Sequence, residues 1–398
     1  MSESPVPVVL AGAHGHGRSH LRNIGGLAEE GLVRLAGVCD RTPLPESDLA
    51  AHPGAEQDTD LDALLRRTGA AVTILCTPIH THLALARTAL DAGSHLLLEK
   101  PPTATAAEFH ALREAVAASG PACQIGFQSL GSGAIEAVRS LIADGAVGEV
   151  RGIGGAGTWV RTSHYYARAE WAGRRSLGGV DVVDGALTNP FAHAVATALA
   201  VAGAQREVAD DIELELFHAH DIESDDTSCL RLHTPGGVPI SIAVTLCAAT
   251  SRPPRLVVHG DAGRITLFYT LDEVRLERPG AEPRTSVHPR TDLLRNLVDH
   301  VRGDAPLLVP PEETAGFMAV LDAVRRAPDP VPIPAGMQRV TSADDGVHRV
   351  VDGVDDLVAL SAERVALFSE LAAPWAVPGG AGPGSHPAAV PDRGGDTG

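Results

Sequence analysis

The first 128 residues repeat one pattern: a short apolar run, a turn, then a segment with apolar residues at helical spacing. The runs are PVVLAGA, LVRLAGVCD, AAVTILCT, HLLLE and ACQIGF. Between them stand a helical segment from Gly17 towards Glu30, then DLDALLRRTG, HLALARTALDAG and AAEFHALREAVAASG. Glycines close the last two, as left-handed helix ends require. Strands this short and apolar on both faces need cover on both faces, and the alternating helices supply it. The pattern therefore predicts a doubly wound parallel sheet.

The pattern changes after the helical segment AIEAVRSLIADGAVG. A long strand-like stretch, EVRGIGGAGTWV, leads through an irregular loop to a helix around Pro190–Ala202. At least five strands follow between Asp211 and Glu277, including IELELFHAH, TSCLRLHT, PISIAVTLC, RLVVHG and RITLFYT, with turns at PGG and GDAG. Consecutive strands joined by short turns predict an antiparallel sheet. Further helical segments are TDLLRNLVDHVRG, PEETAGFMAVLDAVRRA and VDDLVALSAERVALFSELA. The fold class is α/β: an N-terminal Rossmann doubly wound parallel sheet (1–128) plus a C-terminal α+β domain (129–376) with a large, mostly antiparallel open sheet. Residues 377–398 are Gly/Pro-rich and read as a disordered tail.

Composition excludes several function classes. A net charge of −18 leaves no basic face for phosphates, and 3% aromatics give no stacking platform, so no nucleic-acid partner is expected. No apolar run approaches the roughly 20 residues that span a bilayer. MSESPVPVV lacks a basic segment followed by an apolar one, so neither a signal peptide nor a membrane partner is expected. Cys39, Cys76, Cys123, Cys229 and Cys247 lack metal-type spacing, and four sit in strand-like runs. Buried free thiols and a cytoplasmic location follow.

VVLAGAHGHGRSH places a glycine turn after the first strand. Gly12 and Gly17 take the first and third places of G-x-G-x-x-G, and His14 the middle one. Either the His14 side chain points aside or Gly15 supplies the turn. The helix start offers unpaired N–H groups, with Ala13 and His16 beside them, to an anionic ligand. Asp40 ends the second strand, where a carboxylate bonds adenosine ribose hydroxyls. Asp40 favours NAD, and the neighbouring Arg41 suits the 2′-phosphate of NADP.

Lys100 is the single lysine among 32 lysines and arginines, and it ends the apolar run HLLLE. Lysine passes a proton when its pKa is shifted; arginine does not. A lysine at the C-terminal edge of a parallel sheet is placed for chemistry.

Together with the glycine turn, CTPIHTH (Cys76–His82), AGSHLLLEKPPT and NPFAHAVATALAVAG (Asn189–Gly203) resemble the Gfo/Idh/MocA oxidoreductase family, up to about Ala376. The resemblance implies an NAD(P)-dependent dehydrogenase acting on CH–OH groups, on a sugar or polyol-type substrate. Gly12 to Gly17 and Asp40 would hold the dinucleotide. Thr77, Pro78 and His82 would lie beside its nicotinamide half, and Glu99, Lys100 and Gln128 at the cofactor and the reacting hydroxyl. His193 would face the nicotinamide. The resemblance also implies a homodimer or higher homo-oligomer through the open face of the second sheet. The family includes redox-neutral lyases and glycosidases that retain NAD, and non-catalytic dinucleotide-binding regulators. His14, Ile79 and Asn189 depart from its pattern. Asn189 stands where many members have aspartate, four before the histidine. It orients without carrying charge, which shifts proton transfer towards Lys100.

WVRTSHYYARAEWAGRR gathers aromatics and arginines in a chain poor in aromatics. Tyr166, Trp171 and Arg174 are its candidates for substrate contact. The acidic HDIESDDT reads equally as a rim of that site or as a solvated strand end. The pairs His80/His82 and His218/His220 read as incidental rather than as a metal site: His218 and His220 would share a strand face with Leu214 and Leu216.

Overall fold

The computed structural model describes residues 4–207 and 211–376, so the tail expected to be disordered lies outside the described residues. The first half runs β1 (Val6–Ala11), α1 (Gly17–Glu29), β2 (Val33–Cys39), β3 (Glu56–Asp58), α2 (Leu61–Thr68), β4 (Val72–Leu75), α3 (His82–Asp91), β5 (His95–Leu98), α4 (Ala106–Ala118) and β6 (Cys123–Ile125). These strands form one six-stranded parallel sheet in the order β3-β2-β1-β4-β5-β6. The order reverses beside β1, and ligands bind in the crevice beyond the strand ends at such a point. β4 and β5 are buried almost throughout, as the apolar runs require. β3 is a polar edge strand of three residues, too short and too polar to register as a run.

The second half begins with α5 (Gly133–Ala143), β7 (Val150–Thr158) and α6 (Ala192–Ala202). It continues through β8 (Ile212–His218), β9 (Thr227–His233), β10 (Pro239–Thr245), β11 (Arg255–Gly260), β12 (Arg264–Phe268), β13 (Glu273–Glu277) and β14 (Arg284–Val287). Next come α7 (Leu293–Arg302), α8 (Ala315–Arg326), β15 (Val331–Pro332), a hairpin of β16 (Gln338–Ala343) with β17 (Gly346–Val351), and α9 (Val354–Arg364). The nine-stranded sheet has the order β14-β13-β12-β11-β7-β10-β9-β8-β15. It is mostly antiparallel, with two departures from consecutive pairing: β15 joins the edge parallel to β8, and β7 is inserted in the middle. β7 lies between β10 and β11, parallel to the first and antiparallel to the second. The connection LCAATSRPP is too long for a hairpin and ends in two prolines without N–H groups, so the chain steps across β7.

Gly152 and Gly154 clear one face of β7, and α9 lies on that bare backbone. A Cβ on Gly154 would stand 1.8 Å from the Ala362 carbonyl oxygen. α9 ends at Arg364, short of the helix expected from VDDLVALSAERVALFSELA, because Val365 turns left-handed at φ 51°. Leu367, Phe368 and Trp375 then fold down beside Phe217 of β8. The apolar part of this sheet face is thus covered by the chain itself.

On the opposite face of β7, Gly157 makes room for the Phe191 ring, which a Cβ would meet at 2.3 Å. Phe191 also stacks on Trp159 at 4.3 Å between centroids and so fixes the start of α6. Gln124, fully buried in β6, ties the two halves together. Its amide donates to Leu293 O (3.1 Å) and Asn296 Oδ1 (2.7 Å) and accepts from Val309 N (2.8 Å). α7 therefore returns to the first sheet. The start of α6 then stands over the ends of β5 and β6.

Candidate active site

The glycine turn resolves the substitution at its middle position in both expected ways. Gly15 is left-handed (φ +57°) with nothing within 4 Å of where a Cβ would sit, and His14 swings aside, its Nε2 2.9 Å from Thr42 O. A Cβ on Gly17 would meet Gly12 O at 2.0 Å, and one on Gly12 would meet Cys76 O at 2.4 Å. Asp40 accepts from Ala13 N (2.8 Å) and Thr42 N (3.1 Å), which braces the turn. A carboxylate has about four acceptor sites, so capacity remains for ribose hydroxyls. Arg41 is exposed beside it. An open cradle of backbone before a helix, with a carboxylate at the end of β2, fits a dinucleotide.

His82 stands between the loops after β4 and β5. It is buried, with Nε2 2.9 Å from Thr77 O and Nδ1 3.1 Å from Pro101 O and 3.2 Å from Pro102 O. Burial lowers its pKa, and a neutral ring carries a single N–H, so it donates to one of these carbonyls and packs between the two loops. Thr77 and Pro78 keep their place at the end of β4. The Thr81 hydroxyl donates to Pro78 O, so Thr77 Oγ1 donates to Thr81 Oγ1 at 2.7 Å.

Glu99 is the buried hub of the floor. Its Oε1 lies 2.8 Å from His20 Nε2, 3.0 Å from Gln128 Nε2 and 3.5 Å from His16 Nε2. Burial opposes its ionisation, but the bonds from His16 and His20 outweigh burial and hold the carboxyl well below the usual range. The same bond raises the pKa of His16. His20 was missed from the sequence, although its spacing of four from His16 puts both on one helix face.

Lys100 follows at the edge of the sheet. Its Nζ donates to Asn189 Oδ1 at 2.7 Å and to Asn189 O at 2.9 Å, across the gap between the halves. Burial pushes its pKa below the ordinary lysine range, while Glu99 and Asp184 pull it up. Asn189 stands in the turn before α6, not within the helix. Its Nδ2 donates to Asp184 Oδ1, and buried Asp184 also accepts from Arg168 (2.9 Å) and Gly173 N (2.7 Å). The negative charge that Asn189 lacks is supplied by Asp184, five residues earlier, a side chain that sequence reasoning missed.

His193, on the first turn of α6, has Nδ1 3.1 Å from Ser129 Oγ and its ring edge-on to Phe127. Among the described residues Nε2 has no protein partner. Burial, then the Lys100 charge, pushes its pKa down to about 3, so it is a neutral hydrogen-bonding group, not a ready base. The pKa lies below the unfolded value of 6.5, so the stability due to the neutral ring is fully present above pH 6.5 and lost as pH falls towards 3. His193→Gln is expected to lose less stability than the parent in urea unfolding between about pH 7 and about pH 4. Equal losses would contradict the assignment.

The aromatic loop is corrected in detail. Arg174 reaches outward to Glu223 (2.9 Å). Tyr166 turns inward, its hydroxyl buried without a partner among the described residues and its ring 4.8 Å from that of His220. Trp171 remains beside the site, where Arg168 packs over it (4.7 Å) and over Tyr165 (3.7 Å). Asp225 and Asp226 of HDIESDDT are buried, neither a rim nor a solvated end. Asp226 accepts from the backbone of Ala219 and His220 and sits 3.0 Å from His220 Nδ1, with Cys247 Sγ 3.4 Å from the same nitrogen. The third group beside His220 comes from other strands, which a reading along one strand could not find. Burial holds the Cys247 thiol well above its ordinary pKa, and the three side chains lie within hydrogen-bond reach of one another. The other cysteines are also free, and all but Cys76 are buried.

Among the described residues no helix is long and apolar enough to cross a membrane. Residues 6–127 match the family model for the oxidoreductase family with an NAD-binding Rossmann fold, and residues 135–266 the model for the GFO/IDH/MocA C-terminal domain. An inositol 2-dehydrogenase of Rhizobium meliloti is 30% identical over 141 residues, 35% of this chain and 42% of that protein. A dTDP-3,4-didehydro-2,6-dideoxy-alpha-D-glucose 3-reductase of Streptomyces antibioticus is 26% identical over 66% of this chain and 73% of its own. The matches to the first relatives span only 42% and 37% of those proteins. In fold, the chain is similar to the WlbA dehydrogenase of Bordetella pertussis, solved with NADH and UDP-GlcNAcA (TM-score 0.68, 20% identity, 84% of this chain and 100% of that one). It is also similar to a levoglucosan dehydrogenase solved with NADH and levoglucosan (TM-score 0.68, 18% identity, 81% and 96%). With both halves matched and the glycine turn, Glu99-Lys100 and His193 converging on one crevice, the chain belongs to the Gfo/Idh/MocA oxidoreductase family.

Proposed function

We propose that the chain is an NAD(P)-dependent dehydrogenase that exchanges a hydride between the nicotinamide and a secondary hydroxyl of a sugar, polyol or sugar derivative. One observation carries the reading. The chain's single lysine is part-buried at the sheet edge, cradled by Asn189, and close enough to His193 for its charge to depress that ring. The relatives named as dehydrogenases and reductases of inositol and nucleotide sugars support the substrate class.

Oxidising an alcohol takes a hydride from carbon and a proton from oxygen; the bound dinucleotide supplies the hydride acceptor. The Gly12–Gly17 turn would hold its pyrophosphate, Asp40 its ribose, and Thr77 and Pro78 its nicotinamide half. Asp40 favours NAD, since a 2′-phosphate beside it would meet a like charge. Two N–H groups of Lys100 are spent on Asn189, and the third position is left for the substrate hydroxyl. The neutral amine accepts that proton as the C–H bond breaks and returns it in the reverse reaction. His193, neutral, hydrogen-bonds the same hydroxyl through Nε2 and sets its angle.

The test mixes the protein with NAD or NADP and a panel of sugars and polyols and follows absorbance of the reduced nicotinamide. Substrate-dependent reduction is the expected result. Product without net reduction would establish the redox-neutral alternative, and binding without any chemistry would establish a regulator; either result overturns the proposal.

A further inference from the structure

We infer that Asp184 is a positioning residue for Lys100: by taking the Asn189 amide N–H, it turns the amide oxygen onto the ammonium and holds the lysine for proton exchange with the substrate. The inference rests on the dehydrogenase reading above.

An asparagine amide has two unlike ends, and which end faces a neighbour is set by its hydrogen-bond partners. The carboxylate of Asp184 already accepts from Arg168 and Gly173 N and can only accept from the amide. The Asn189 nitrogen therefore belongs to Asp184, and its oxygen is left for Lys100. The opposite orientation would set amide donors against an ammonium and an amide oxygen against a carboxylate. Both contacts would be lost together.

Asp184 is itself held firmly. It is 5% exposed, and Arg168 is clamped by the rings of Tyr165 and Trp171. The result is an alternating row of Lys100, Asn189, Asp184 and Arg168 in which each group fixes the next. Lys100 is faced by Glu99 from its own strand end, Arg168 from the aromatic loop, Asp184 from the segment before α6, Cys76 from the end of β4 and His193 from α6. Of the two carboxylates, only Asp184 acts through a residue that touches the ammonium.

The single lysine makes the test direct, because selective ¹³C/¹⁵N-lysine labelling gives one side-chain resonance. In Asp184→Asn, the titration midpoint of that resonance is expected to move to lower pH, since a negative charge near the ammonium is gone. With a turned-over sugar, kcat is expected to fall on the order of 10²-fold while KM for the dinucleotide stays unchanged. The exchange Asp184→Asn with Asn189→Asp keeps the same atoms and restores a carboxylate to the row. It is expected to bring the midpoint back to the parent value or above it, and it decides the question should the single variant not fold. An unmoved midpoint in a folded variant overturns the inference, and so does a moved midpoint with kcat unchanged, because loss of the charge alone would then account for the shift. So does a midpoint that the exchange fails to restore. The resonance needs no substrate, so a protein that oxidises no sugar but shows both shifts would sink the dehydrogenase reading and leave the positioning role standing.

Discussion

Lys100→Arg is expected to lower kcat for sugar oxidation about 10³-fold, within the range a positioned acid or base contributes, while the dinucleotide still binds. The substitution keeps the positive charge and the apolar stem, so burial and the attraction of Glu99 and Asp184 survive. A guanidinium stays protonated at any accessible pH and cannot take a proton from a hydroxyl. Geometry adds to the loss. Lys100 fits a pocket with two acceptors on one residue, Asn189 O and Oδ1, and a flat, longer fork cannot match a point-charge cradle. Single-turnover reduction of the dinucleotide reads the chemical step apart from binding. Turnover near that of the parent would remove Lys100 from the reaction.

Gly154→Val is expected to cost about 3 kcal/mol and to lower Tm by roughly 5 °C. Gly154 does not have the positive φ that favours glycine, so the effect comes from contact alone. Its new Cβ would press into the Ala362 carbonyl at 1.8 Å, and backbone cannot rotate aside as a side chain can. α9 must lift, which uncovers Val358, Leu367 and Phe368 over β7 and its neighbours. Calorimetric melting decides it. A variant that melts with the parent would show that the C-terminal segment is not seated on β7.

The parallel sheet was legible because its signal is local: apolar runs, helical spacing and terminal glycines each lie within about a dozen residues. Gly12, Gly17, Asp40 and Lys100 were legible for the same reason, each sitting at a strand end or helix start whose position the pattern sets, whereas Glu99 and His193 were picked out by the family resemblance. What escaped depends on contacts between distant segments. Asp184 reads as one acid in VDVVD, and only the folded loop places it behind Asn189. Arg168 and Arg174 are equivalent in sequence, yet one packs inward over Tyr165 and Trp171 and the other pairs with Glu223 outside. HDIESDD looks solvated because charge usually is, but Asp225 and Asp226 are buried and Asp226 takes backbone N–H groups. His82 sits in a segment assigned to cofactor contact, and its two nitrogens face carbonyls of the loops after β4 and β5. The glycines of GIGGAG read as strand residues, whereas their purpose is to let α9 and Phe191 approach from opposite faces.

The central claim is that Lys100 exchanges the substrate proton. The measurement that tests it most directly titrates the lysine resonance in the dinucleotide-loaded protein and sets its midpoint against the pH profile of kcat/KM for sugar oxidation. That rate reports the essential base before substrate binds. It should rise with pH and level off at the lysine midpoint, which lies below the ordinary range because of burial. A profile that levels off elsewhere, with the lysine still protonated where the rate is already full, would contradict the claim.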